Sequence, residues 1–166
     1  TGGTEQLVEA ACDGARAAVS ELAHDTPAQP MRPVIDVMPV RCDRLSASAL
    51  SRADALIVAT PECLASVAGP MKAFFDRVYY PALDTLNGRP YAAMVCAGTD
   101  GQGALRQIDR IATGWRLRRV AEPVLAITGA QAPDAILAPK SLPPADLARA
   151  GELGATLAAG LLLGLW

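Results

Sequence analysis

Three short apolar runs set what this chain can fold into: "ALIVA" (55–59), "YAAMVCA" (91–97) and "VLAIT" (124–128). Each is continuous rather than alternating, the pattern of a strand covered on both faces. Helical periods lie between and around them. Val8, Cys12, Ala15, Val19 and Leu22 make one stripe over 5–22, and Pro27 and Pro30 in "HDTPAQP" break it. Residues 46–53 suit a short helix. In "GPMKAFFDRVYYP", Pro70 suits a first turn, Met71, Phe74, Phe75 and Val78 recur at i, i+3, i+4 and i+7, and Pro81 ends the pattern. Leu105, Ile108, Ala112 and Trp115 mark a further helix with Gly114 near its end, and "PPADLARAGELGATLAAGLLLG" a last one. "PVIDV" (33–37) is also strand-like. Strands that alternate with helices imply βαβ units and a parallel sheet covered on both sides, an α/β fold in a single domain over 1–166.

Composition narrows the function. With 51% hydrophobic and 19% charged residues, 166 residues suffice to bury a core. Fifteen Lys and Arg against 17 Asp and Glu, a net charge of -2, give no general attraction to nucleic acid or to anionic membranes. Cys12, Cys42, Cys63 and Cys96 form no C-x-x-C pair and His24 is the one histidine, so no metal site is expected and reduced cytoplasmic thiols are the natural reading. The apolar end "LAAGLLLGLW" is too short to span a bilayer and is expected to cover an edge of the domain or to join a subunit interface in a homo-oligomer.

In open α/β sheets ligands bind beyond the carboxyl ends of the strands. The loops there are three. Thr1-Gly2-Gly3-Thr4 precedes a helix start, whose free N–H groups and partial positive charge suit a phosphate without any Lys or Arg; equally, Thr4 can be a plain N-cap after two glycines. No Gly-Lys-Ser/Thr ending is present, so this is not an ATPase P-loop. "TPECLASVAGPMKAFFDR" (60–77) follows "ALIVA". Thr60 and Pro61 turn the chain, Glu62 and Cys63 can line a pocket, and Cys63 reads more simply as a small buried hydrophobe. Lys72 and Asp76 read as an exposed i, i+4 pair. "AGTDGQG" (97–103) follows "YAAMVCA", with glycines for close backbone approach and Asp100 as a capping acid for the next helix. "WRLRR" gathers Arg116, Arg118 and Arg119, either a contact for the extra phosphate of NADPH or a solvated connector.

Together these loops resemble the flavodoxin-like superfamily, on the NAD(P)H-dependent FMN reductase and quinone reductase branch. The residues carrying the likeness are Thr60, Pro61, Gly69, Met71, Lys72, Phe74, Phe75, Asp76 and Arg77, with "YYPAL", "GRPYA" and "AGTDGQGALRQIDRI" similar to bacterial flavodoxin family proteins. The resemblance implies a three-layer sandwich with a parallel sheet of order 2-1-3-4-5. It also implies FMN as cofactor. Thr1, Gly2, Gly3 and Thr4 would hold its phosphate, Thr60, Pro61, Glu62, Cys63 and Leu64 would lie beside the ring, and Ala97, Gly98, Thr99, Asp100 and Gly101 would close the other edge. Leu64 stands where relatives usually carry an aromatic residue, and Ala65 where many have glycine. In that topology the first strand separates "PVIDV" from "ALIVA", so a strand upstream of Thr1 is expected in the natural protein.

The implied activity is hydride transfer from NADH or NADPH through flavin to a quinone or similar small acceptor, with no catalytic side chain assigned. Two other readings stay open: a flavodoxin-type electron carrier, and a flavodoxin-like domain that has lost its flavin. A response-regulator receiver is excluded, since it needs an acidic cluster at the strand ends and a lysine after a late strand.

Overall fold

The structure, a computed structural model, describes residues 1–25 and 34–166. Its elements in chain order are α1 (Gly3–Asp25), α2 (Ala47–Leu50), β1 (Leu56–Cys63), β2 (Ser66–Val67), α3 (Gly69–Val78), β3 (Pro90–Ala97), α4 (Gln102–Gly114), β4 (Arg118–Arg119), β5 (Val124–Ile127), α5 (Pro133–Leu137) and α6 (Pro144–Leu162). The seven longer helices and strands of the apolar alternation (α1, β1, α3, β3, α4, β5 and α6) stand where the periodicity puts them. Pro70 and Pro144 sit in the first turns of α3 and α6, where a missing N–H costs nothing. Ser46 caps α2, its Oγ accepting the N–H of Ala49 at 3.2 Å.

β3 is the centre of the sheet. It runs parallel to β1 from Leu56↔Tyr91 to Pro61↔Cys96, and parallel to β5 from Met94↔Val124 to Ala97↔Ile127. All eight β3 residues are buried, and the period of two divides them between two layers. Ala92, Met94 and Cys96 pack with Leu7 and Ala11 of α1 and with Leu153 and Leu157 of α6. Tyr91, Ala93, Val95 and Ala97 pack with Ala104, Leu105, Ile108 and Ala112 of α4. Helices therefore cover both faces, giving the expected three layers. A further cluster beneath α3 joins Phe74, Phe75 and Val78 to Trp115, whose indole N–H donates to the Tyr79 carbonyl at 3.0 Å. Trp115 is core, as the sequence implied.

One expectation fails. Of the "PVIDV" strand, Pro33 lies outside the described residues, and 34–37 belong to no strand; Val34 is 94% exposed. An extended segment becomes a strand only when its backbone groups find a neighbour, and among the described residues no strand lies between this segment and β1. Arg16 Nη2 instead reaches the Val37 carbonyl at 3.4 Å. The same missing neighbour makes "ALIVA" an edge strand, although helices cover both of its faces: Ala55 and Ala59 pack on the α1–α6 cluster, Leu56 and Val58 on the α4 cluster. β1 has a parallel partner only on its β3 side, and Ile57 is exposed. Pro27 and Pro30 lie outside the described residues, while α1 runs to Asp25 just before them.

Helix α5 and the two-residue strands β2 and β4 carry no periodic signal and were not foreseen. β4 pairs with Pro90 and Tyr91 at the amino end of β3. The C-terminal residues fold back on the domain: Leu165 donates to the Gly160 carbonyl at 2.9 Å and the Arg118 guanidinium stands 5.8 Å over the Trp166 ring. Leu163 and Leu165 of "LLLGLW" remain exposed. Among the described residues no helix is long and apolar enough to cross a membrane.

Candidate functional site

Because β1, β3 and β5 are parallel and in register, their carboxyl ends Cys63, Ala97 and Ile127 emerge at one edge of the sheet. The turns that follow meet there, joined by the start of α1.

The Gly2 carbonyl accepts the N–H of Gln6 at 3.1 Å, so α1 begins at Gly3 with Gly2 as its cap residue. Thr4 therefore stands inside the first turn and is not the N-cap. The N–H groups of Gly3, Thr4 and Glu5 precede the first intrahelical bond and face outward as unpaired donors. The Thr4 hydroxyl is buried with no hydrogen-bond partner among the described residues. This turn is held from behind. Gln6 Nε2 donates to the carbonyls of Gly2 (3.2 Å) and Lys140 (2.6 Å), Gln6 Oε1 accepts from Leu142 N (3.0 Å), and Lys140 N donates to Thr1 O (2.7 Å). Gly3 lies against β3: a Cβ built there would stand 2.5 Å from Cys96 Sγ. Burial pushes the Cys96 thiol above its usual range, with Lys140 partly offsetting, so Cys96 serves as packing.

The β1 turn is a two-residue hairpin into β2, paired Glu62↔Val67 and Cys63↔Ser66. Its loop residues Leu64 and Ala65 both have positive φ, 52° and 59°. Asn-Gly is the preferred pair for such a turn, so the backbone here is strained. Leu64 is fully exposed at the tip, and Pro61 and Cys63 are exposed beside it. Cys63 is thus a surface thiol and not a small buried hydrophobe, because the hairpin turns it away from the core. Thr60 is buried, and its hydroxyl is spent internally, accepting from Ala68 N at 3.2 Å and donating to Pro61 O at 3.0 Å. The Lys72–Asp76 pair is exposed as expected. Replacing Leu64-Ala65 by Asn-Gly is expected to stabilise the fold by about 1–2 kcal/mol, read as a higher denaturation midpoint at unchanged slope.

In the third turn Thr99 and Asp100 are exposed and Gly98 is partly buried. The cap of α4 comes from Glu62, whose Oε2 accepts from Gly101 N at 2.8 Å; Asp100 is not the capping acid. A fourth turn, absent from the sequence reading, closes the group. The N–H groups of Thr128 and Gly129 donate to Ala97 O (2.9 Å) and Gly98 O (2.8 Å), and Thr128 Oγ1 donates to Ala97 O (3.1 Å). A signal for it existed, since Thr128-Gly129 follows the third apolar run as the other turns follow theirs. Gln6 had no such signal.

Among the described residues, no lysine or arginine side chain beside these turns is left free for an anion. Lys140 Nζ donates to the carbonyls of Ala135, Ile136 and Ala138 at 2.7, 2.9 and 2.6 Å, closing the end of α5. Arg118 and Arg119 stand at the amino end of β3, six strand residues and about 20 Å from the turns. Arg116 pairs with Asp84 (3.0 Å) and Arg119 with Asp109 (3.2 Å). The arginine cluster is a surface connector, remote from any ligand at the carboxyl edge.

Comparison with known proteins places these observations. The sequence model of the NADPH-dependent FMN reductase family matches residues 5–132. A flavodoxin from the domain Archaea superposes with a TM-score of 0.68 at 18% identity, covering 95% of this chain and 90% of its own. The Streptococcus pneumoniae TIGR4 flavodoxin gives 0.67 at 21%, covering 96% and 92%. A flavodoxin, WrbA-like protein from Agrobacterium tumefaciens gives 0.62 at 15%, covering 98% and 91%. The likeness establishes the flavodoxin-like fold. A comparison with curated proteins finds no match.

Proposed function

The chain belongs to the NADPH-dependent FMN reductase family, a flavin-associated oxidoreductase, and on that premise we propose that it holds FMN at the carboxyl edge of the sheet and passes hydride from NAD(P)H to a small acceptor such as a quinone. The observation that carries this reading is the first turn of α1. It offers unpaired N–H groups together with a buried, unpartnered Thr4 hydroxyl and, among the described residues, no lysine or arginine left free, the donor set that suits a phosphate monoester. A buried hydroxyl without a partner costs stability unless a ligand completes it.

In this reading Thr1, Gly2, Gly3 and Thr4 hold the phosphate. The β1 turn from Thr60 to Leu64 flanks the ring through backbone and through Glu62, Cys63 and Leu64, while Ala97 to Gly101 close the opposite edge. The flavin, when bound, supplies the hydride chemistry. The protein's part is to orient it with fixed amide dipoles and to keep water from one face. All four thiols are free, which fits the reducing cytoplasm.

Fluorescence titration of FMN tests the reading: quenching that saturates at one flavin per chain is expected, and unquenched flavin refutes it. Mixing the flavin-loaded protein with NADPH then separates a reductase, whose flavin absorbance bleaches directly, from an electron carrier, whose absorbance persists. Thr4→Val separates binding from folding. Removing the unpaired hydroxyl is expected to leave stability equal or up to about 1 kcal/mol higher, while FMN affinity falls about tenfold. A parallel loss of both would contradict the assignment of Thr4 to the phosphate.

A further inference from the structure

Helix α4 starts without a capping side chain of its own. Its cap residue, Gly101, has φ 81°, a left-handed conformation that glycine adopts without strain. The carboxylate at this helix start comes from β1. Glu62 Oε2 accepts from Gly101 N at 2.8 Å and Glu62 Oε1 faces Ala104 N at 3.4 Å, so both oxygens address the positive end of α4. The hairpin that carries Glu62 is pinned to the same helix a second time, where Gln107 Oε1 accepts from Ser66 Oγ at 2.8 Å and from Val67 N at 3.0 Å. The strained Leu64-Ala65 turn lies between the two pins, and its Ala65 carbonyl packs on Gly103, where a Cβ would stand 2.1 Å away.

We propose that Glu62 is a positioning residue: its charge welds the turn after β1 to the start of α4, so that two of the turns bounding the flavin cleft form one preformed rim. The inference rests on the flavin reading above. A charge-assisted bond to backbone N–H is about twice as strong as a neutral one, and strained backbone persists only where its surroundings over-determine it. The two pins and the Gly103 contact provide that. With both oxygens accepting from amides, Glu62 serves as an acceptor and not as a proton donor to the reaction. It also occupies the start of α4, so that helix end is closed to a ligand's phosphate.

The test uses the flavin-free protein first. Amide hydrogen exchange of Gly101 and Ala104 is followed by NMR in the unaltered protein, in Glu62→Gln and in Glu62→Ala. Gly101 protection is expected to drop about tenfold or more in Glu62→Ala and about threefold in Glu62→Gln, which keeps an acceptor oxygen without the charge. The FMN dissociation constant is expected to rise in the same order, with the thermal midpoint of Glu62→Gln unchanged. Unchanged Gly101 exchange in Glu62→Ala overturns the clamp. Lost protection with undiminished FMN affinity overturns the positioning role. An unaltered protein that binds no FMN sinks the cofactor assignment, and the exchange measurement then decides the clamp by itself.

Discussion

Gly154→Val is expected to lower the unfolding free energy by about 3 kcal/mol or more, with a thermal midpoint on the order of 10 °C lower. Helices α1 and α6 lie side by side on one face of the sheet, and they approach at glycines. A Cβ on Gly154 would stand 1.9 Å from the Ala11 carbonyl oxygen, and one on Gly14 would stand 2.1 Å from that of Gly151. These neighbours are backbone, so no rotamer change relieves the clash and the helices must separate. Separation would open the cluster of Leu7, Ala11, Ala150, Leu153 and Leu157. Gly154→Ala should be milder, because the gain in helix propensity of about 1 kcal/mol offsets part of the strain. The consequence reaches function. α1 carries the open N-terminal turn at the sheet edge, so FMN affinity should fall together with stability. A midpoint within a degree or two of the unaltered protein would show that the helices are not in this contact.

Gly3→Ala should show the reverse balance, with little loss of stability and an FMN dissociation constant raised about 30-fold, a cost of about 2 kcal/mol. At the first helical position alanine is the better helix former, but its Cβ would lie 2.5 Å from Cys96 Sγ and 3.5 Å from Lys140 Cβ. Cys96 is buried near the end of the central strand, where its sulfur has little room to move. The first turn of α1 must lift instead, and its N–H groups then leave the positions that converge on a phosphate. The double variant Gly3→Ala with Cys96→Ala removes the obstructing sulfur and should recover affinity to within about threefold, since coupling between touching residues is where additivity fails. A double variant as weak as Gly3→Ala alone would place the effect outside this contact.

The two substitutions differ because the contacts differ: one wedges two helices apart along their length, the other displaces a single turn. Neither glycine is distinguishable in the sequence from Gly69 or Gly164, where an added Cβ would meet nothing within 4 Å. Glu62 is a similar case. As a sequence position it reads as a pocket-lining carboxylate, and Asp100, one residue before Gly101, reads as the capping acid. Only the parallel pairing of β1 with β3 brings a residue 39 positions away to the helix start first.

What the sequence determined by itself was periodicity and its punctuation. Continuous apolar runs at 55–59, 91–97 and 124–128, with 3.6-residue stripes between them, specify parallel strands, covering helices and hence an edge where the turns collect. "TGGT", "TPECL" and "AGTDG" were placed at that edge for the same reason. The tertiary structure decided what depends on partners distant in the chain. Among the described residues it gave 34–37 no strand to pair with, and it exposed Cys63 and Leu64 on a strained hairpin, spent Thr60 and Lys140 on local carbonyls and amides, and sent the arginines of "WRLRR" to the opposite end of the sheet. Local pattern sets which residues can form an element; hydrogen bonds and close approaches between elements set which side chains remain free to meet a ligand.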